Sequence, residues 1–288
     1  MKLKQHPDIS TEIPVVILAA GKSTRMGVPK GLVEINEKTW IELQIDHLIE
    51  NDLKNIVCVL GHYEKQYREV IDTFSSADGF RELNIAITVN RDPDRGQFSS
   101  IQEGLKFILN DEVWSQAKGV FILPVDVPVA TADVWSGLAD TVSEFLIRDY
   151  EERFCAAIPE FQERGGHPVL LSMEFVRELV KLKVQSEEAR LDHQIHKLQR
   201  DQILRFETKD SNVVKNFNNP EDFQEKFPNL ELKQRVDRVN VLASNYKKHY
   251  PTERDLTLAK ADRIRREKEQ GLKMKKKKLR KHNWNREE

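Results

Sequence analysis

The stretch that decides the fold is VVILAAGKSTRMGVPKGL, Val15 to Leu32, where an apolar β-branched run leads directly into a loop of glycine and cationic residues. The letters GKST match the end of a P-loop, but a P-loop also needs a glycine five positions before the glycine that precedes its lysine. Val16 occupies that position, inside the apolar run, so the spacing excludes a P-loop. A buried strand that runs into such a loop still predicts a phosphate ligand.

Further apolar runs alternate with helical patterns along the chain. The runs that read as strands are VVILAA, NIVCVLG, NIAITVN, GVFILPVD, RFCAAIP, HPVLLS, ILRFET and VVKNF. Predicted helices are TWIELQIDHLIEN, with a capping-box spacing of Thr39 and Glu42, and YEKQYREVIDTF, SSIQEGLKFIL and TADVWSGLADTVSEFLI. This alternation predicts a Rossmann-like α/β fold with a mostly parallel, mixed central sheet and helices on both faces. Ligands of such sheets bind beyond the carboxyl ends of the strands.

Charge divides the chain into two parts. The 288 residues carry a formal net charge of -1, but the residues from Lys247 onward hold 16 Lys and Arg against 7 Asp and Glu. We expect an α/β domain over residues 1–226 and a helical, Lys/Arg-rich, partly disordered C-terminal extension over residues 227–288. Three roles remain open for this basic extension: a solubilising terminus, attachment to a polyanion such as RNA or an acidic membrane surface, or folding back onto the acidic domain.

The cysteines and the hydropathy of the chain indicate the cellular compartment of the protein. Cys58 and Cys155 both lie in apolar strand-like runs, which favours reduced core residues over a disulfide or a metal site. No apolar run reaches the roughly 18 residues of a membrane span, and the first run is followed by GKSTR rather than by a signal-peptide cleavage site. We therefore expect a cytoplasmic protein without a membrane span.

The end of the first strand offers residues suited to a phosphorylated ligand. Gly21 allows close approach of the main chain to a ligand, and the small residues Ala19 and Ala20 leave room for a flat group. Arg25 and Lys30 supply cationic donors for a polyphosphate. The alternative is a strand–turn–helix connector with solvated charges.

Asp126 ends the fourth apolar run, GVFILPVDVP, where a carboxylate is costly unless it meets a cation or hydrogen-bond donors. Beside a triphosphate its natural partner is Mg²⁺, whereas the alternative is a carboxylate that caps the following turn. Near the end of the domain, KNFNNPEDF offers a second oxygen ligand. Strand alternation would put the amides of Asn216 and Asn218 on one side, facing Asp126.

Two further segments carry candidate residues. RGQFSSIQEGL puts Ser99 and Ser100 at an apparent helix start, where a serine hydroxyl caps the helix or binds a nucleobase edge. ERGGHPVLLS puts Gly166 and His167 just before a short strand. The glycine pair predicts a mobile or tightly turned loop, and His167 alone is typical of a plain surface histidine.

Together these motifs resemble the MobA-like NTP transferase family, closest to nucleotidyltransferases of the molybdenum cofactor cytidylyltransferase type. LAAGKSTRMGVPKGL resembles the LxxGxSxRMGxxK signature, and RGQFSSIQEGL is similar to the serine-rich segment of the cytidylyltransferase branch. LPVDVPVAT resembles the metal-binding strand end, RGGHPVLLS the acceptor-side loop, and NFNNPEDF the closing (D/N)-x-(D/N)-T-P-E-D motif. The resemblance covers about Ile13 to Phe223, with the motifs in the family's order.

The resemblance implies a role for each matching residue. The residues expected to bind the nucleotide are Leu18, Ala19, Ala20, Gly21, Lys22, Ser23 and Ser100. Arg25 and Lys30 would neutralise the triphosphate as the catalytic cations. Asp126 and Asn218 would hold Mg²⁺. The residues on the acceptor side would be Gly166 and His167.

The chain departs from the family pattern at several positions. Gly31 replaces the usual apolar residue after the lysine, Gln97-Phe98 replaces a common Met-Ser pair, and Asn219 replaces threonine. Asn218 stands where the cytidylyltransferase branch usually has aspartate, which lowers the local negative charge. The basic extension is not part of the pattern.

The resemblance implies nucleotidyl transfer. A phosphate on an acceptor such as molybdopterin attacks the α-phosphorus of an NTP, with CTP preferred over GTP, and pyrophosphate leaves. This reaction needs positioning and charge neutralisation rather than a protein nucleophile. One alternative is transfer to a sugar phosphate or polyol phosphate. Another is a catalytically weak nucleotide-binding module that its basic extension docks to an acidic partner.

Overall fold

The computed structural model describes residues 13–75, 83–147, 154–183 and 189–227, all within one compact unit of the chain, Met1–Val236. Apart from Phe227, the predicted C-terminal extension lies outside the described residues. Its helical character and its boundary at residue 226 therefore stay predictions. Among the described residues, no helix is long and apolar enough to cross a membrane.

The described residues form a central sheet and a small hairpin. The strands are β1 (Val15–Ala19), β2 (Glu34–Ile35), β3 (Lys38–Thr39), β4 (Asn55–Leu60), β5 (Asn84–Val89), β6 (Gly119–Pro124), β7 (Ala156–Phe161), β8 (Arg164–Gly165), β9 (Val169–Ser172) and β10 (Ile203–Glu207). β2 and β3 form the hairpin, and the sheet runs β10-β7-β9-β6-β1-β4-β5 with β8 beside β7. β9 is antiparallel to β6 and β7, and β8 is antiparallel to β7, whereas the other neighbouring pairs are parallel. The predicted mixed, mostly parallel sheet is confirmed.

Helices cover both faces of this sheet, as predicted. They are α1 (Trp40–Glu50), α2 (Glu64–Ser75), α3 (Gln97–Asn110), α4 (Ala132–Ile147), α5 (Met173–Leu179), α6 (Leu191–His196) and α7 (Pro220–Lys226). α1 starts at the predicted capping box, in which Thr39 N–H donates to the Glu42 carboxylate over 2.6 Å. Alternate residues of β1 enter two separate cores, one containing side chains of α1, α2 and α4 and the other side chains of α3, α5 and α6. All five β1 residues are therefore buried, which explains the unbroken apolar run.

The chain order places a crevice between β1 and β6. From β1 the chain crosses to β4 and then to β5 on one side, and afterwards it returns to form β6 on the other side of β1. The connections that leave β1 and β6 therefore diverge, which opens a crevice beyond their carboxyl ends. Both strands run parallel there, from the Val15↔Phe121 pair to the Leu18↔Pro124 pair.

The prediction that VVKNF forms the last strand is wrong. Ser211–Val214 form a 3-10 helix, because the Asp210 side chain accepts the Asn212 N–H and turns the chain. The residues that follow, 215–218, pair with no strand in the described structure. Asn216 is exposed, whereas Asn218 is partly buried, so the two amides do not share one side of a strand.

The two cysteines are core residues, as predicted. Cys58 and Cys155 are both buried and free. Burial raises the pKa of the Cys58 thiol to about 12, which keeps it protonated and unreactive.

Candidate functional site

A cavity of about 340 Å³ lies in the crevice beyond β1 and β6. Most of the residues predicted to bind the nucleotide or its phosphates line it: Leu18, Ala19, Ala20, Gly21, Ser23, Arg25, Lys30, Ser100 and Asp126. They come from the end of β1, the start of α3 and the end of β6. The cavity therefore brings together residues that are widely separated in the sequence.

Lys30 connects three parts of this site. Its ammonium donates to Asp126 Oδ2 over 2.8 Å and to Asn218 Oδ1 over 3.0 Å. Its own backbone N–H donates to Ser23 Oγ over 3.0 Å, and Ser23 holds the left-handed φ of 51° that such a tight loop requires. Lys30 is only 9% exposed, so its charge lies inside the protein rather than in solvent.

Arg25 reaches the same place from the exposed side of the loop. Its terminal guanidinium nitrogen donates to Asn218 Oδ1 over 3.3 Å, so one amide oxygen accepts from both predicted cations. The side chain itself is exposed. Arg25 and Lys30 thus present positive charge from the mouth and from the inside of one cavity.

The loop that carries Asp126 is held by three donors. Trp40 Nε1–H donates to the Val125 carbonyl over 2.7 Å, and Gln44 Nε2–H donates to the Val127 carbonyl over 2.8 Å. The carbonyl of Asp126 itself accepts the Phe217 N–H over 2.7 Å. Three successive carbonyls are therefore fixed, and the carboxylate between them is positioned by the main chain.

Asn218 is positioned by the first turn of α7. The Asp222 carboxylate accepts the N–H of Asn218 over 2.6 Å and the N–H of Asn219 over 3.1 Å. The Asn219 side chain in turn accepts the Asp222 N–H, which completes a capping box. Asn219 therefore caps α7. The Asn218 side chain does not itself line the cavity, but its oxygen accepts from the two cations that do, Arg25 and Lys30.

The donor set at Asp126 fits a divalent cation that arrives with phosphates. The Asp126 carboxylate and the Asn218 amide oxygen converge on one point, because both accept from the same ammonium. Of the described residues that line the cavity, Asp126 is the one with a carboxylate, and no group of three acidic, histidine or cysteine residues that could hold a metal lies in the described structure. Mg²⁺ suits such a site, since it uses one or two carboxylates together with phosphate oxygens and water.

The predicted serine pair is held by Asn90, which sequence reasoning missed. Asn90 Nδ2 donates to Ser99 Oγ over 2.7 Å and to Ser100 Oγ over 3.0 Å. The helix begins earlier than predicted, with Gly96 as its N-cap, and the Ser99 hydroxyl donates back to the Gly96 carbonyl. Ser99 is thereby structural, whereas Ser100 lines the cavity, and among the described residues no acceptor is found for its hydroxyl proton.

Lys22 is not brought into the cavity. Its exposed ammonium lies 2.8 Å from Asp94 Oδ2, and His62 Nε2 lies 2.9 Å from the other oxygen of the same carboxylate. Hydrogen bonds from Lys22 and His62 hold the pKa of Asp94 below its ordinary value. These three side chains link the loops that follow β1, β4 and β5 at the rim.

A second cavity of about 830 Å³ adjoins the first. The two cavities share the lining residues Leu18, Gly96, Gln97 and Pro124. The larger one is floored by apolar side chains, and Arg95, Glu163, Arg190, Asp192, His196 and Arg205 add charged or polar groups. Both residues predicted for the acceptor side, Gly166 and His167, line it.

His167 is more than a surface histidine. A Cβ on Gly166 would lie 2.1 Å from the Val213 carbonyl oxygen, and His167 N–H donates to that same oxygen over 2.8 Å, so the loop packs tightly. The His167 Nδ1 atom is buried and has no hydrogen-bond partner among the described residues. Burial lowers the pKa of His167, although the charge of Asp126 and a hydrogen bond with Ile122 oppose this effect. The imidazole is therefore neutral at physiological pH.

The chain is similar to known proteins in both sequence and fold. The family model of the MobA-like NTP transferase domain matches residues 15–201. The solved structure of Rv0371c from Mycobacterium tuberculosis superposes with a TM-score of 0.56 at 17% identity, covering 76% of this chain and 99% of that one. A complex of Rv0371c with manganese superposes with a TM-score of 0.52 at 16% identity, covering 76% of this chain and 99% of that one. At these identities the likeness shows the fold alone.

Two curated relatives match parts of the chain. A probable molybdenum cofactor guanylyltransferase of Carboxydothermus hydrogenoformans is 29% identical over 116 residues, which are 40% of this chain and 51% of that protein. A choline-phosphate cytidylyltransferase of Streptococcus pneumoniae is 39% identical over 57 residues, which are 18% of this chain and 25% of that protein. The chain thus spans about a half and a quarter of the lengths of these relatives.

Proposed function

The chain belongs to the family of MobA-like NTP transferase domains, and from this premise we propose that it is a nucleotidyltransferase. An oxygen of a phosphorylated acceptor attacks the α-phosphorus of an NTP. The bond from this phosphorus to the bridging oxygen breaks, and pyrophosphate leaves. A nucleoside monophosphate is thereby joined to the acceptor.

The observation that carries this proposal is the pair of adjoining cavities. The smaller one holds the cations and the carboxylate, which suits a triphosphate with its metal. The larger one is big enough for a small acceptor, and the residues that both cavities share mark where the two substrates meet. Two substrates held side by side make the attack effectively intramolecular.

The two cations and the two metal-binding oxygens have separate tasks in this reaction. Lys30 and Arg25 neutralise the charge that develops on the departing pyrophosphate. Asp126 and Asn218 would hold Mg²⁺, which screens the phosphate oxygens and makes the α-phosphorus easier to attack. Asp126 would hold the cation in place of its present ion pair with Lys30, and the Lys30 ammonium would then be available to phosphate oxygens. The phosphate nucleophile is already ionised, so no protein base is required.

The acceptor occupies the larger cavity beside Gly166 and His167. The neutral His167 ring, whose Nδ1 atom has no partner among the described residues, can accept a hydrogen bond from a hydroxyl group of the acceptor without adding a charge. A molybdopterin-like acceptor is our first choice, and a sugar phosphate or polyol phosphate is the alternative. The buried ion pair of Lys30 and Asp126 favours an active transferase over a weak nucleotide-binding module. Small metabolite substrates and free cysteines suit a cytoplasmic location.

For the nucleotide we infer a preference for CTP over GTP. Asn90 donates to the Ser100 oxygen, so the Ser100 proton points away from Asn90 and is available to a carbonyl oxygen of the base. Because guanine also carries a carbonyl, the preference for cytosine rests on the resemblance of this serine segment to the cytidylyltransferase branch. Calorimetric titration with CTP and with GTP, each with Mg²⁺, tests this inference. Tighter binding of GTP would overturn it. Ser100→Ala should reduce the preference, whereas Ser136→Ala, on the exposed side of α4, is the matched control.

Pyrophosphate release tests the function itself. The full chain is incubated with Mg²⁺, each of the four NTPs in turn, and either molybdopterin, a sugar phosphate or a polyol phosphate. We expect release that depends on both the NTP and one acceptor. Binding of an NTP without release for any acceptor would favour the binding-module alternative. Failure to bind any NTP would reject the proposal.

A further inference from the structure

Tyr67 enters the smaller cavity from a helix that carries none of the family motifs. It lies in α2, is 1% exposed, and its side chain lines the cavity together with Lys30 and Asp126. The helical pattern of this segment explains why residue 67 is buried. It does not explain why the buried side chain carries a hydroxyl group. A buried phenol oxygen needs hydrogen-bond partners, and these partners define what Tyr67 does.

The Tyr67 oxygen has one partner in the loop that carries Lys30. The N–H of Gly31 donates to it over 3.0 Å. A Cβ at position 31 would lie 2.6 Å from Tyr67 Cε1 and 2.8 Å from the hydroxyl oxygen, so the ring fills the space that a side chain would take. The main chain next to Lys30 is therefore fixed against the phenol, both by packing and by a hydrogen bond.

The Tyr67 proton is free for a ligand. The hydroxyl has one proton to donate, and no acceptor for it is found in the described part of the chain. Burial raises the pKa of Tyr67 well above its ordinary value of 10, and the charge of Asp126 adds to this effect. The phenol therefore keeps its proton at every working pH and acts as a permanent donor.

We propose that Tyr67 is a further substrate-binding residue, whose hydroxyl donates to a triphosphate oxygen while its oxygen holds the Lys30 loop through Gly31. This inference rests on the proposed function, because it requires a triphosphate in the smaller cavity. An oxyanion is the expected acceptor, since the neighbouring cations Arg25 and Lys30 draw anionic groups to this cavity. A neutral donor at this point adds a hydrogen bond without adding charge.

Tyr67→Phe tests the hydroxyl, and Tyr63→Phe is its control. Tyr63 is exposed, does not line the cavity, and places its hydroxyl 3.5 Å from the Lys22 carbonyl. Binding of CTP and of inorganic tripolyphosphate, each with Mg²⁺, is measured by calorimetry on the full-length variants. Loss of a hydrogen bond to a charged group should weaken binding of both ligands about tenfold or more in Tyr67→Phe, and less than about twofold in the control.

The outcomes separate this inference from the proposed function. If the unaltered chain binds neither CTP nor tripolyphosphate, the proposed function fails. If it binds them and Tyr67→Phe binds tripolyphosphate equally well, the inference alone is overturned. Weaker binding of CTP without weaker binding of tripolyphosphate also overturns it, because the lost contact would then lie on the base or the sugar.

Gly31→Ala supplies a second variant that keeps the phenol. Its methyl group must displace the Tyr67 hydroxyl, so tripolyphosphate binding should weaken about as much as in Tyr67→Phe. Because both changes remove the same contact, the double variant should lose little more than either single variant. Fully additive losses would show that Tyr67 and Gly31 act separately and would overturn the inference. This cycle remains decisive even if Tyr67→Phe lowers the thermal stability of the fold.

Discussion

Lys30 Nζ lies 2.8 Å from Asp126 Oδ2, although 96 residues separate the two in the sequence. Their side chains are 11% and 27% exposed, so this ion pair is mostly removed from solvent. Breaking such a pair leaves a buried charge without compensation, which costs more than breaking a surface pair. Variants at this pair should therefore be judged on stability as well as on activity.

Lys30→Ala should abolish most turnover while the fold survives. Loss of one donor to transition-state charge costs roughly 10²–10³-fold in rate, and we expect that loss in pyrophosphate release. Arg25→Ala should also lose most turnover, because its guanidinium shares the Asn218 oxygen with Lys30. Lys38→Ala, which removes a surface ion pair with Asp46, is the matched control. Near-normal release by either folded site variant would contradict the assigned roles.

Asp126→Asn should reduce Mg²⁺-dependent activity more severely than Asn218→Ala. The first change removes the one carboxylate among the described cavity residues, whereas the second removes a neutral ligand. Activity measured across a series of Mg²⁺ concentrations separates the two. Excess metal should partly restore Asn218→Ala but not Asp126→Asn. If Asn218→Ala proved the more damaging change, the metal site would be assigned wrongly.

The meeting of the loop after β1 with Asp126 could be predicted from the sequence for a simple reason, whereas the predicted strand that was to bring Asn218 to Asp126 does not form. Polar residues that directly follow buried parallel strands lie at the same edge of a sheet, and β1 and β6 are neighbours. Strand ends and loop glycines are visible in the sequence because apolar runs stop there. The main elements of the fold were predicted in this way, as was the meeting of most of the proposed nucleotide-binding residues at one cavity. Their role in binding a nucleotide stays a prediction.

The residues that support the site were not predictable in the same way. These supporting residues are on helices or at the end of an edge strand, and they are Trp40, Gln44, Asn90 and Tyr67. Whether their side chains point toward the site depends on tertiary packing. Of these four residues, only Gln44 could have been noticed in the sequence, because it is a polar residue within the apolar stripe of α1. In the structure it is 1% exposed. A polar residue at such a position needs an internal partner.

Two local features depend on tertiary contacts that the sequence does not show. Val213 and Val214 read as strand residues, yet their turn is set by the Asp210 side chain, and burial of Val213 against Gly166 satisfies their apolar character. The departure at Gly31 likewise had no explanation in the sequence. It follows from the Tyr67 ring, which lies where a side chain would stand.

Acidification should destabilise the protein through His167. Burial lowers the pKa of this imidazole in the folded state, so below its unfolded value of about 6.5 the unfolded chain binds the proton more readily. The stability that His167 contributes is thus present above about pH 6.5 and is lost as pH falls through the folded pKa. Urea unfolding at about pH 7.5 and about pH 5.5 measures this loss.

His167→Gln should lose less stability between these two pH values than the unaltered chain does. The matched control is His47→Gln, which changes an exposed histidine on α1 near Glu50. Comparison of the variants cancels the contribution to the pH dependence from carboxylates that titrate in the same range. An unchanged pH dependence in His167→Gln would show that His167 is not buried in its neutral form.

The basic extension carries the last prediction, which rests on charge alone. KMKKKKLRKH, residues 273–282, packs eight permanent or potential cations into ten positions, and like-charge repulsion opposes a stable free helix there. The first 246 residues hold 40 Asp and Glu against 30 Lys and Arg, so the extension can also fold back onto its own domain. We propose attachment to a polyanion such as RNA, and the other two roles remain as outcomes of the test.

Truncation after Tyr246 should leave pyrophosphate release intact and remove retention on heparin or RNA resin. Retention of the full chain should fall steeply with added salt, because binding to a polyanion releases counterions. Replacement of Lys275, Lys276, Lys277 and Lys278 with glutamine should weaken retention without shortening the chain. A full chain that elutes without retention would instead support a solubilising terminus. If the truncated protein loses turnover or unfolds, the extension is an integral part of the domain, and the predicted boundary at residue 226 is wrong.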